Sequence, residues 1–194
     1  MRTITATMHV TLDGVVQGLA RADEDTRGGF PHGGWGVRFH DEVLAREMGA
    51  DLTAPGDMLL GRRTWQDFAQ VWGRATDGNP YSARMNSTTK YVVSQSLKDV
   101  DDWQGSVLLH GDAVESVRKL KAEPGRNLGI VGSASLVRTL HAAGLIDRYT
   151  LLITPITLGC GARLFDGPAP ATEFELVGCV PSTTGVIIAR YVRR

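Results

Sequence analysis

Apolar and polar positions along this chain follow two periods in turn. Residues 3–10 are rich in β-branched side chains and predict a strand. Residues 41–51 place Val43, Leu44 and Met48 at helical spacing, with Asp41 at the N-cap position. Residues 57–60 form a short apolar strand that ends at Gly61. Residues 64–72 set Trp65, Phe68 and Trp72 on one helical face. Residues 90–93 and 106–109 read as strands. Asp112 with Glu115 resembles a capping box and opens a helix with Val114, Val117 and Leu120 inward, ended by Pro124 and Gly125. Residues 128–131 are a short apolar run. A small-residue turn follows, then an amphipathic segment carrying Leu136, Val137 and Leu140 and stopping at Gly144. Residues 148–157, 172–180 and 186–192 are strand-like, the last two joined by a hairpin connection at 181–185. Strands alternating with helices, closed by an antiparallel run, predict an α/β fold. It has a mixed, mostly parallel central sheet, helices on both faces and a C-terminal antiparallel hairpin. No internal repeat and no linker interrupts the pattern, so residues 1–194 read as a single domain.

Residues 17–40 depart from this economy. The stretch holds Gly28, Gly29, Gly33, Gly34 and Gly36, with Trp35 among them. Long loops in a compact domain often bind or cover a ligand. The expectation is that this loop walls the substrate site, with Trp35 binding substrate by closing over its ring. The alternatives are a mobile surface loop, and a Trp35 that plugs a core or an interface.

Three strand ends carry candidate chemistry. Val131, Gly132, Ser133, Ala134 and Ser135 lead from a strand into a helix. Such a junction aims unpaired backbone N–H groups and the positive end of a helix dipole at one point, which suits a phosphate. Gly61, Arg62, Arg63 and Thr64 form a second such junction, with two guanidinium groups and a hydroxyl. Ser94, Gln95 and Ser96 follow a third strand. In α/β sheets, ligands gather outside the carboxyl ends of parallel strands. Two anion-ready helix starts plus a hydroxyl cluster match a dinucleotide. No acidic residue stands at 94–97 to hold a free ribose 2′-hydroxyl, which favours NADP over NAD. The three-glycine dinucleotide fingerprint is absent.

Composition narrows the field. Lys and Arg number 21 and Asp and Glu number 21, so no net charge draws the chain to nucleic acid or membrane. No apolar run is long enough to span a bilayer and the first residues lack a signal-peptide core, so a cytoplasmic setting is expected. Cys160 and Cys179 have no metal or redox spacing. The five histidines show no paired ligand spacing, so no metal site is expected. Gly132-Ser-Ala-Ser-Leu lacks the final glycine of a nucleophile elbow.

The order of motifs resembles the dihydrofolate reductase-like superfamily, and within it the RibD C-terminal domain family, the reductase of riboflavin biosynthesis. The resemblance rests on Thr11-Leu12-Asp13-Gly14, Leu60-Gly61-Arg62-Arg63-Thr64, Asn86 and Lys90 to Ser94. It continues with Gly132-Ser133 through Leu136, Ala143 to Asp147, and Pro155 to Phe165. It implies a dihydrofolate reductase-like domain with NADPH bound across the strand ends, and commonly a homodimer. The zinc deaminase pattern that often accompanies such reductases is missing, which implies a stand-alone reductase-type domain. Gln95 stands where the family often has Arg, and Arg148 where it often has an acid.

The reading that results is an NADPH-dependent reductase of a small molecule, resembling the 5-amino-6-(5-phosphoribosylamino)uracil reductase. A pterin reductase and a non-catalytic NADPH-binding module are the alternatives. Asp13, in the turn after the first strand, is the candidate catalytic proton donor, against the simpler reading that it caps its own turn. A phosphoribosyl substrate would need basic residues, and Arg21, Arg27, Arg38 and Arg163 are the ones on offer.

Overall fold

Eight strands form one sheet in the order β4-β3-β2-β5-β1-β6-β8-β7. They are β1 (Ile4–Thr11), β2 (Asp57–Gly61), β3 (Lys90–Val93), β4 (Ser106–Leu109), β5 (Leu128–Val131), β6 (Arg148–Thr154), β7 (Phe174–Pro181) and β8 (Ile187–Arg193). The helices are α1 (Glu42–Thr53), α2 (Arg62–Trp72), α3 (Pro80–Ser87), α4 (Ala113–Ala122) and α5 (Ala134–Ala142). This computed structural model describes residues 1–53, 55–75 and 77–194, with the side chains of 51–53 and 80 left aside. β2 runs parallel to β3 and β5, and β3 parallel to β4. β8 is antiparallel to both β6 and β7. The expected mostly parallel sheet with an antiparallel C-terminal hairpin is therefore present.

The chain divides into two compact units, the first made of residues 1–6 and 53–147 and the second of 7–52 and 148–194. In the first, β2 is buried along both faces, which is why its sequence shows no alternation. Met58 and Leu60 pack with Trp65, Met85, Val92, Val100 and Trp103, while Leu59, pointing the other way, is equally buried. The predicted face of α2 meets this core through Trp65, Phe68 and Trp72. Its first turn starts at Arg62, two residues before the apolar pattern begins. Asp112 caps α4 by accepting from the N–H groups of Val114 and Glu115, each at 2.9 Å. The pattern did not predict α3. It is a short helix with Tyr81 and Met85 as its large apolar residues, started by the Asn79 side chain on the Tyr81 N–H at 2.9 Å.

Two cations are buried in this unit. Arg2 pairs with Asp57, both nearly solvent-free. Lys90 is fully buried and has its ammonium 4.4 Å from the Trp103 ring centre. It donates to the carbonyls of Met85 at 3.1 Å and Asn86 at 3.2 Å. Burial pulls its pKa down to about 8.

In the second unit, Leu44 of α1 packs on Leu152, Val186 and Ile188 of the antiparallel strands. Asp41 sets where α1 begins, accepting from the Leu44 N–H at 2.7 Å. The same carboxylate accepts from the Thr183 hydroxyl at 2.7 Å and the Thr184 N–H at 3.1 Å, binding the helix start to the hairpin turn. These donors, the Leu44 N–H first, hold Asp41 well below the usual carboxylate range.

Candidate functional site

Two of the three predicted strand ends lock together. β2 and β5 are parallel neighbours, so the turns that follow them, Gly61 to Thr64 and Gly132 to Ser135, emerge side by side. The Ser133 hydroxyl accepts from the Gly61 N–H at 3.0 Å, and the Ser133 N–H donates to the Thr64 hydroxyl at 3.0 Å. This places the N-termini of α2 and α5, the positive ends of their dipoles, next to each other. Gly132 has a φ of 64° and Ser133 a φ of 50°, consecutive left-handed residues that turn the chain sharply into α5. A Cβ at Gly132 would lie 3.3 Å from the Thr64 methyl, so glycine is what lets the two turns approach.

The Ser133 N–H is spent on this tie, while its hydroxyl accepts one bond there and keeps its own proton to donate. Ala134 and Ser135 open α5, where first-turn N–H groups have no intrahelical acceptor. Arg62 donates to the Gln66 side chain at 3.2 Å along α2, and Arg63 is exposed. Among the residues of the two turns, 61–64 and 131–135, none is acidic. Two adjacent helix starts and a left-handed turn could hold an anionic group such as a phosphate.

The third strand end is self-contained. The Ser94 hydroxyl is buried and accepts from the N–H groups of Ser96 at 3.2 Å and Leu97 at 3.1 Å. Gln95 and Ser96 are exposed.

In the second unit, Asp13 is a structural anion. Its carboxylate accepts from the Thr11 hydroxyl at 2.6 Å and from the N–H groups of Leu158 at 3.2 Å and Gly159 at 2.8 Å. The Thr11 bond, followed by those backbone donors, keeps its pKa below the ordinary value. A group held as an anion is a poor proton donor near neutral pH, so the geometry supports the turn-fastening reading of Asp13 over the catalytic one.

Trp35 is placed differently from the expectation. It is 6% exposed and packs with Val15 and Phe30, flanked by Leu19, Ile156 and Leu158. Its indole N–H donates to the Gln17 carbonyl at 2.7 Å. The loop of residues 17–40 thus has its own small core, and Trp35 is its plug rather than a surface lid. Gln17 organises that loop, and nothing in its sequence context marks it. Its amide donates to the carbonyls of Asp25 at 3.1 Å and Arg27 at 3.0 Å and accepts from the Ala162 N–H at 2.9 Å. Beside it lies a cavity of about 530 Å³ lined by Arg27, Phe30, Pro31, Cys160 and Ala162, with glycines 28, 29 and 161 between them. A Cβ at Gly161 would fall 2.6 Å from the Phe30 ring, so that glycine is required.

His9 on β1 was also not singled out. Burial, then the charge of His40, lowers its pKa to about 4, so the imidazole is neutral at physiological pH. Among the described residues no three His, Cys, Asp or Glu side chains group as metal ligands, and no helix is long and apolar enough to cross a membrane.

A model of the RibD C-terminal domain matches residues 2–188. Two Bacillus subtilis proteins are similar in sequence. The uncharacterized protein YyaP is 31% identical over 133 residues, 67% of this chain and 70% of YyaP. The uncharacterized protein YwjB is 29% identical over 121 residues, 62% of this chain and 64% of YwjB. Among solved structures, a putative riboflavin biosynthesis protein from Shewanella sp. PV-4 superposes with a TM-score of 0.70 at 19% identity, covering 99% of both chains. A pyrimidine reductase-like protein from Corynebacterium diphtheriae superposes with a TM-score of 0.63 at 13% identity, covering 100% of this chain and 92% of that one. At these identities the superpositions speak for the fold.

Proposed function

The chain belongs to the RibD C-terminal domain family, and on that premise we propose that it is an NADPH-dependent reductase of a small heteroaromatic or carbonyl-like molecule. One observation carries the reading: the mutual tie of Ser133 with Gly61 and Thr64, which brings two helix N-termini together at turns that carry Arg62 and Arg63 and no acidic residue of their own. That is the arrangement a dinucleotide diphosphate needs. When bound, the cofactor supplies the hydride. The protein's residues then have two tasks. The turns at 61–64 and 131–135 anchor the phosphates. Exposed Gln95 and Ser96 meet the ribose end with neutral donors.

NADPH should bind at least about tenfold more tightly than NADH, because no acidic side chain at 94–97 reads a free 2′-hydroxyl. That ratio corresponds to about 1.4 kcal/mol, one charge-assisted hydrogen bond. Calorimetric titration of both cofactors checks it, and equal affinities would remove the argument. The function itself is tested by following nicotinamide absorbance with NADPH and a panel of pyrimidinones and pterins. Oxidation with a pyrimidinone supports the riboflavin-type reading, and oxidation with a pterin supports the alternative. Tight NADPH binding with no oxidation across the panel would favour a non-catalytic nucleotide-binding module.

A further inference from the structure

Groups that attract anions are plentiful in the second unit, and the chain fills them with its own carboxylates. The N–H groups of Leu158 and Gly159 point at one spot, with the Arg163 guanidinium 4.0 Å from the carboxylate there, and that carboxylate is Asp13. Arg163 is further occupied by donating to the Asp13 carbonyl at 2.9 Å. Arg27, the one charged residue lining the 530 Å³ cavity, is gripped through both arms of its fork by Asp25, one contact at 2.6 Å. Arg21 faces Asp23 at 3.5 Å, and the N–H groups of Ala20 and Arg21 are taken by Glu24. Arg38 lays its guanidinium over the Phe39 ring at 4.9 Å. Residues 17–40 carry three Arg and three acids, so the loop has no surplus positive charge.

A phosphate entering here would meet a carboxylate beside nearly every guanidinium. It would have to displace that carboxylate and then sit within repulsive range of it. The cavity wall offers instead the edge of Phe30, a thiol and glycine backbone, suited to a flat uncharged ring. Its volume lies in the range of small-molecule sites.

From this we infer that the substrate carries no phosphate: the chain reduces an uncharged heteroaromatic ring, not a phosphoribosylated one. The inference rests on the reductase reading above. The step is balanced by the cofactor and solvent. A bound reduced nicotinamide would supply the hydride that forms a C–H bond at the electron-poor carbon of a ring C=N or C=O and would itself be left oxidised, while the π pair would move to the nitrogen or oxygen and take one proton from solvent.

The test is binding of ribose 5-phosphate to the full chain loaded with NADPH, so that the cofactor's phosphate site is already filled. Melting temperature and calorimetry are the readouts. The wild-type chain should bind it more weakly than millimolar. Asp25→Asn, a change at a half-buried loop position whose fold a melting curve verifies, removes the negative charge held against Arg27 and should tighten binding about tenfold. Sub-millimolar binding by the wild type, abolished by Arg27→Ala or Arg163→Ala, would overturn the inference. So would an Asp25→Asn variant no better than the wild type, because the pairing would then not be what keeps phosphate out. Failure of NADPH to bind would sink the reductase reading alone, since the ribose 5-phosphate titration remains readable on the free chain.

Discussion

Lys90 shows how one residue's chemistry depends on its surroundings. A lysine at the start of a strand is ordinary in sequence, yet this one is sealed against Trp103 with only carbonyls as hydrogen-bond partners. Its folded pKa of about 8 lies below the unfolded value of about 10.4. The unfolded chain therefore binds more protons between those two values. The penalty for a buried ammonium is fully present below pH 8 and fades as pH rises toward about 10.4. Stability from this group should thus rise through that window, by at most about 1.4 kcal/mol per pH unit. Urea unfolding of the wild type and Lys90→Met across that range checks this, with the rise expected only in the wild type. Parallel profiles would place the titration elsewhere. Asp13 teaches the same lesson with the opposite sign. Its Leu-Asp-Gly context suggests a free carboxylate, but two of its three donors, the N–H groups of Leu158 and Gly159, are neighbours the local sequence does not reveal.

Elements matter here through their ends. α5 was legible from its apolar spacing and its small-residue start, because both are local properties of the chain. Its connection to α2 was not, since the Ser133–Thr64 bond spans 69 positions. Ser135 offers a test that separates structure from binding. It is exposed near the start of α5 and takes no part in the tie between the turns. Ser135→Glu places a negative charge at a helix N-terminus, which should stabilise the helix by about 0.3–1 kcal/mol. The same charge should repel the cofactor's diphosphate. A melting temperature unchanged or higher, with NADPH affinity reduced at least about tenfold, is the expected pair of results. Unchanged affinity would show that these helix starts serve the fold alone.

At the scale of the whole chain, one compact unit is built on parallel strands and another on an antiparallel run with a long loop. The loop's integrity rests on Trp35. Truncating a buried indole removes its contacts with Val15 and Phe30 and its bond to Gln17, so Trp35→Ala should cost about 3–5 kcal/mol. NADPH affinity should hold within a few-fold per folded molecule, because the tied turns at 61–64 and 131–135 lie in the other unit. A melting curve and a cofactor titration on that one variant decide it. A stable variant with altered substrate kinetics would restore Trp35 to the role of a lid.

The order of the strands and of every helix but α3, the inward faces of α2, α4 and α5, the caps at Asp41 and Asp112 and the small-residue turn into α5 were all determined by the sequence on its own. Each is an expression of short-range physics: a repeat of two or about 3.6 residues, a side-chain oxygen reaching N–H groups two or three positions on, or a glycine turning the chain. The tertiary structure decided which of those groups were free. The Asp13 carboxylate meets Gly159 across 146 positions, and Gln17 meets Ala162 across 145. Trp35 turned inward, Ser94 closed on its own turn, and Lys90 lost its water. Burial and long-range hydrogen bonding depend on what the fold brings alongside a residue, and no local pattern carries that information.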